Sequence, residues 1–175
     1  MTDNQLKDTK QLLRSEDIVE DCSHEDDLWL TGKFREVWWR RIRTYREDEE
    51  RAATQLGTVL DVDPNHLAFV DETNQFGVQC TGDLISRWDS DAAFYANLAA
   101  EPTLAEWLPE CDELDDQTRT QLLDGIRTFL ETCPGCDAEL AQVENVRKSC
   151  CAGELVSVSV DCPDCGARVI SGSYA

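Results

Sequence analysis

The sequence predicts an α+β chain: a mainly helical body with a small β-hairpin, followed by a cysteine-rich β unit at the C-terminus. Three observations predict it. Apolar residues recur at three- and four-residue steps from Lys33 to about Leu56, and again through Leu122, Ile126 and Leu130, as in amphipathic helices. Two apolar runs, 67–70 and 76–80, flank a turn-rich stretch at 71–75, which reads as a hairpin over about 67–80. Cys-x-x-Cys occurs twice, at Cys133-Pro-Gly-Cys136 and Cys162-Pro-Asp-Cys165, with 25 residues between.

The chain has 175 residues, enough for an ordinary core without disulfide staples. Three divisions are expected: an acidic, flexible tail over 1–27, the helical body over 28–131, and the cysteine unit over 132–175. No run approaches the roughly 18 apolar residues of a membrane span. The first 27 residues lack the apolar stretch of a secretory signal, so a cytoplasmic setting is expected. Asp and Glu number 36 against 16 Lys and Arg, a net charge of −20, and only four of the basic residues are lysine. That acidic, lysine-poor balance is expected of a halophilic, archaeal type of cytoplasm, where hydrated carboxylates face concentrated salt. It speaks to solubility rather than function.

Against this background, residues 32–46 carry six basic groups and one acidic one. Phe34, Trp38, Ile42, Tyr45, Ala52 and Leu56 are expected on the buried face of one helix, with Gly57 placed to stop it. Glu36 with Arg40, Arg43 with Glu47, Arg46 with Glu50 and Glu47 with Arg51 stand at i,i+4 spacing. The plain reading is an amphipathic helix with solvated or paired arginines. Two sharper readings use Lys33, Arg35, Trp39, Arg40, Arg43 and Arg46 as a surface. One is nucleic acid, with arginines on phosphates and Trp39 stacking on a base. The other is docking to a protein partner or, less expected, peripheral contact with a membrane.

Further along, Thr81 or Asp83 is expected to start a helix carrying Leu84, Ile85 and Trp88. Asp89 or Ser90 caps the next, and Thr103-Leu-Ala-Glu106 reads as a capping box opening another that ends at Pro109. Asp115 or Asp116 opens the last helix before the cysteines. No Gly-rich phosphate loop, Gly-x-Ser-x-Gly or His-Glu-x-x-His is present, and the chain has two histidines, so no catalytic residues are assigned.

At the C-terminus, Cys133, Cys136, Cys162 and Cys165 can close a tetrahedral Zn²⁺ site with no open position. Gly135 and Gly166 suit the tight knuckle turns. Ala152-Gly153 can turn a hairpin, Val156, Val158 and Val160 alternate as a strand, and 168–170 supplies a third strand. Over 131–172 these residues resemble a zinc ribbon. The resemblance implies Zn²⁺ as cofactor and a role in transcription, RNA or translation machinery, or in docking other proteins. Cys150 and Cys151 stand apart, as buried filler, as an alternative ligand, or as a redox pair. Cys22 with His24 could form half a second site, and Cys80 and Cys111 are expected as buried singles.

The expected function is a non-enzymatic binding module in regulation or complex assembly, with a protein partner. The alternatives are a transcription-associated nucleic-acid binder using the basic aromatic helix, and a thiol redox protein using Cys150 and Cys151.

Overall fold

The computed structural model describes residues 10–22, 28–109, 111–149 and 153–174. The architecture is α+β, with five helices and three small antiparallel sheets among the described residues. Two β elements open the chain: β1 (Val19–Asp21) pairs with β2 (Leu28–Leu30), preceded by a short helix α1 over residues 10–15. Helices α2 (Gly32–Glu47) and α3 (Glu49–Leu60) follow, then the sheet β3 (Leu67–Glu72), β4 (Gln75–Cys80) and β5 (Asp83–Trp88). Helices α4 (Asp91–Trp107) and α5 (Asp116–Arg127) lead to a last sheet of β6 (Ala141–Ser149), β7 (Gly153–Asp161) and β8 (Arg168–Tyr174).

Residues 10–22 of the expected tail carry α1 and β1. Leu13, Ile18 and Val19 are buried, and Thr31 ties the segment down by donating its hydroxyl to the Asp17 carbonyl at 2.8 Å. Three apolar side chains spaced around a turn suffice to seat an otherwise acidic segment on the core.

Helix α2 buries the expected face: Phe34, Trp38 and Ile42 are each fully buried, and the Trp38 indole N–H donates to the Ala96 carbonyl at 3.0 Å. The single helix read from the sequence is two. Asp48 leaves the helical region (φ −139°, ψ 94°) and its side chain accepts the Arg51 N–H, capping α3. The i,i+4 ion pairs are absent among the described residues. Arg51 pairs with Asp48, and Arg43 and Arg46 reach to Asp137.

Gly57 does not stop the helix, which runs to Leu60 and ends at Asp61 in the left-handed region. Its role is close approach: a Cβ there would sit 2.8 Å from the Val62 carbonyl oxygen and 3.0 Å from Pro64 Cγ. Gly→Ala in a helix ordinarily stabilises by up to about 1 kcal/mol. Here Gly57→Ala is expected to destabilise by roughly 1–3 kcal/mol, seen as a lowered thermal midpoint.

The hairpin forms as read, with Glu72 opposite Gln75. The helix expected after it is strand β5. Thr81 and Gly82 both take positive φ (52° and 92°), a two-residue turn that sends the chain back along β4. Leu84 then covers Gly77, and Trp88 packs edge-on to Phe94 at 4.9 Å. Ser90 caps α4, accepting the Ala93 N–H, but no second helix opens at Thr103. Thr103 is buried, donates to the Ala99 carbonyl and receives Arg41, so α4 continues through Pro102 to Trp107. Asp115 caps α5.

One buried cluster joins Leu13, Ile18 and Leu30 with Trp38, Ala96, Ile126 and, from the C-terminal unit, Cys133, Cys162 and Val169. A smaller cluster lies between α3, the β3–β5 sheet and Phe94.

Candidate metal centre

The two Cys-x-x-Cys segments fold into matching knuckles. In the first, the Cys133 N–H donates to the Ala138 carbonyl and the Asp137 N–H returns to the Cys133 carbonyl. In the second, Cys162 and Ala167, then Gly166 and Cys162, repeat the pattern. The residue after each second cysteine must turn left-handed, and it is Asp137 (φ 63°) in one knuckle and Gly166 (φ 75°) in the other. Gly135 lies in the knuckle turn, as read from the sequence, and donates its N–H to Cys133 Sγ at 3.3 Å.

The four sulfurs lie within 4.8 Å of one another, with Cys133 to Cys165 at 3.7 Å and Cys136 to Cys162 at 3.5 Å. Four thiolates about 2.3 Å from a tetrahedral metal stand about 3.8 Å apart, so the cluster could hold a metal ion. Disulfide sulfurs would be near 2.05 Å. Cys133 and Cys162 are buried and Cys136 and Cys165 exposed. Burial pushes the Cys133 and Cys165 thiols up. Burial acts the same way on Cys162, but the N–H groups of Cys165 and Asp164, together with the Cys136 and Cys165 thiols, outweigh it and bring that thiol to about 7. A bound dication would hold all four as thiolates.

The β6–β7–β8 sheet extends from the knuckles, β6 pairing with β7 from Ala141 opposite Asp161 to Ser149 opposite Gly153. Cys150 and Cys151, and with them the redox and alternative-ligand readings, lie outside the described residues, as does His24. Cys111 is buried as expected, whereas Cys80 is only half-buried.

What the sequence did not disclose is how the knuckle meets the basic helix. The Arg46 guanidinium, 18% exposed, donates to Asp137 Oδ2 at 2.8 Å and to the Pro134 carbonyl at 3.2 Å. Arg43 lies 3.6 Å from the same carboxylate, and the first and largest cause of Asp137's lowered pKa is the Arg46 hydrogen bond. On the second knuckle's side, Ser90 donates to the Arg168 carbonyl and Ser171 to Asp89. The left-handed position is therefore an aspartate where its carboxylate can dock on α2. Its only sequence signal is an acidic residue at a site where the other knuckle has glycine. Arg46→Ala is expected to cost about 1–2 kcal/mol, a charge-assisted bond discounted for the half-exposed partner. A double-mutant cycle with Asp137→Ala, read by urea midpoints, should return a coupling of about 0.5 kcal/mol or more.

Of the surface read on α2, Arg46 is thus used internally, and Arg43 stacks over the Trp39 ring at 5.5 Å. Lys33, Arg35 and Arg40 are exposed and form no ion pair among the described residues. No described helix is long and apolar enough to cross a membrane.

Two family models match the chain: the central domain of a family of unknown function, DUF8054, over residues 8–128, and the C-terminal domain of the same family over residues 131–171. No curated protein and no solved structure matches it.

Proposed function

The chain belongs to the DUF8054 family, and from its own geometry we propose a non-enzymatic zinc-ribbon protein that works in the cytoplasm as a binding module in complex assembly. The observation that carries this reading is the closed set of four sulfurs at tetrahedral spacing, docked on the helical body. Cys133, Cys136, Cys162 and Cys165 would hold Zn²⁺ with every position filled by protein, which suits a structural metal rather than a reactive one. When bound, the ion supplies a cross-link and no chemistry. Thiolate sulfur selects zinc over harder divalent ions, and free cysteines suit a reducing compartment.

Metal analysis with a thiol titration tests it. The expected result is one zinc per chain with four of the nine cysteines protected. A chelator-treated chain that is metal-free yet keeps its β6–β8 amides protected would overturn it, and so would iron in place of zinc.

A further inference from the structure

Two shallow grooves meet on the face formed by β2, the start of α2 and the 128–132 segment that leads into the first knuckle. The first, about 420 Å³, is lined by Lys10, Trp29, Arg35 and Phe129 among others. The second, about 500 Å³, is lined by Arg35, Trp39, Arg43 and Phe129, with Glu36 and Glu131. Arg35, Phe129 and Glu131 belong to both, so the two form one continuous trough.

Three features of this trough call for an occupant. Trp29 is 46% exposed, the most exposed of the large apolar side chains described. Arg35 carries no ion pair among the described residues, although carboxylates outnumber basic groups more than two to one in the chain and Glu36 and Glu131 line the same trough. Most other described arginines do find a carboxylate, as Arg41 does at Glu106 and Arg119 at Glu101. Finally, each lobe is lined by an aromatic ring and a cation: Trp29 and Lys10 in one, Trp39 and Arg43 in the other, where Arg43 lies over the Trp39 ring and 3.6 Å from Asp137, and Arg35 lines both.

We propose that this trough, through Trp29, Arg35, Trp39 and Arg43, is a docking site for single-stranded nucleic acid. Trp29 supplies an exposed stacking platform and Arg35 an unpaired cation for a phosphate, while Trp39 and Arg43, already stacked on each other with Arg43 near Asp137, border the strand beside them. Glu36 and Glu131 repel phosphates and peptide carboxylates alike, but unlike an acidic peptide a nucleic acid also carries exocyclic amino groups on its bases, which donate to carboxylates. The trough is open along its length, which suits a strand rather than an enclosed mononucleotide. The net charge of −20 repels a polyanion at long range, but at physiological salt that field is screened within about 8 Å, leaving the local cations in control. The site names the partner of the binding module proposed above and rests on that reading.

The test is fluorescence anisotropy of a labelled single strand of about ten nucleotides, with zinc-loaded full-length protein at about 150 mM salt. Metal content is measured on the same sample. Trp29→Ala is expected to weaken binding about tenfold, as loss of one stacked base would. Arg35→Glu should weaken it further and flatten the salt dependence by about 0.7 for each phosphate no longer neutralised. Arg51→Glu carries the same charge change outside the trough and should leave affinity nearly unchanged. Both trough residues are exposed, so both variants are expected to fold, which their thermal midpoints check. Absence of binding by loaded protein at about 100 μM, equal effects of Arg35→Glu and Arg51→Glu, or equal competition by an oligo-glutamate peptide would each overturn the site. A chain that is fully zinc-loaded but does not bind overturns the docking proposal while the metal reading stands.

Discussion

On the zinc assignment, Cys133→Ser is expected to leave the chain without metal and to unfold its C-terminal sheet. Cys133 is fully buried, its sulfur accepts the Gly135 N–H, and it stands 3.7 Å from Cys165. Structural zinc sites contribute on the order of 10–16 kcal/mol of binding free energy that exists only in the folded arrangement. Three thiolates and a neutral hydroxyl forfeit most of it. The effect should spread, because Cys133, Cys162, Ala167 and Val169 share one cluster with Trp38 and Ile126. Metal content near zero, loss of amide protection in β6–β8 and a lowered melting point of the remaining helices are the expected results. Cys80→Ser, at a half-buried sulfur on the β3–β5 sheet, should keep its metal. A Cys133→Ser chain with full metal load and unchanged amide protection would refute the assignment.

Trp38→Ala is expected to be the most damaging single change in the helical body. The side chain is fully buried, lies 6.4 Å from the Phe34 ring and donates to the Ala96 carbonyl on α4. Truncating a buried aromatic costs about 3–5 kcal/mol, lost transfer energy and a cavity together. Set against the roughly 5–15 kcal/mol of a typical domain, that is enough to leave much of the chain unfolded at moderate temperature. Trp38→Phe keeps most of the volume and loses the hydrogen bond, so about 1–2 kcal/mol is expected. Urea unfolding should show the two midpoints falling in that order at unchanged slope. Equal midpoints for the two variants would mean that packing volume at Trp38 is not what joins α2 to α4.

The parts of the fold written in local spacing could be read without a structure. The knuckles follow from the doubled Cys-x-x-Cys, the α2 face from Phe34, Trp38 and Ile42, and two helix starts from Ser90 and Asp115. What failed was local signal overruled by distant partners. Thr103 offers a capping hydroxyl, but a buried hydroxyl that meets Ala99 and Arg41 has no helix start to cap. Asp83, Leu84, Ile85 and Trp88 suit a helix by spacing, yet the Thr81–Gly82 turn and the uncovered Gly77 on β4 recruit them as a strand. Arg46 and Asp137 are 91 positions apart and carry no pattern that announces their pairing. The trough was half legible. Arg35, Trp39 and Arg43 stand on one helix, but Trp29 and Phe129 arrive from β2 and from the segment after α5, which no periodicity links.

The shared cluster that unites Leu13, Ile18 and Leu30 with Cys162 and Val169 also sets a timetable for synthesis. A chain growing from its N-terminus completes the helical body near residue 130 but cannot cover the face of that body that receives the last sheet until Val169 has been made. At about 5–20 residues per second this interval lasts roughly two to eight seconds. Through it the newborn body presents an apolar face to its neighbours, and on the zinc assignment proposed above a shortage of the metal would prolong that exposure. The net charge of −20 works in the other direction, since like-charged chains repel one another.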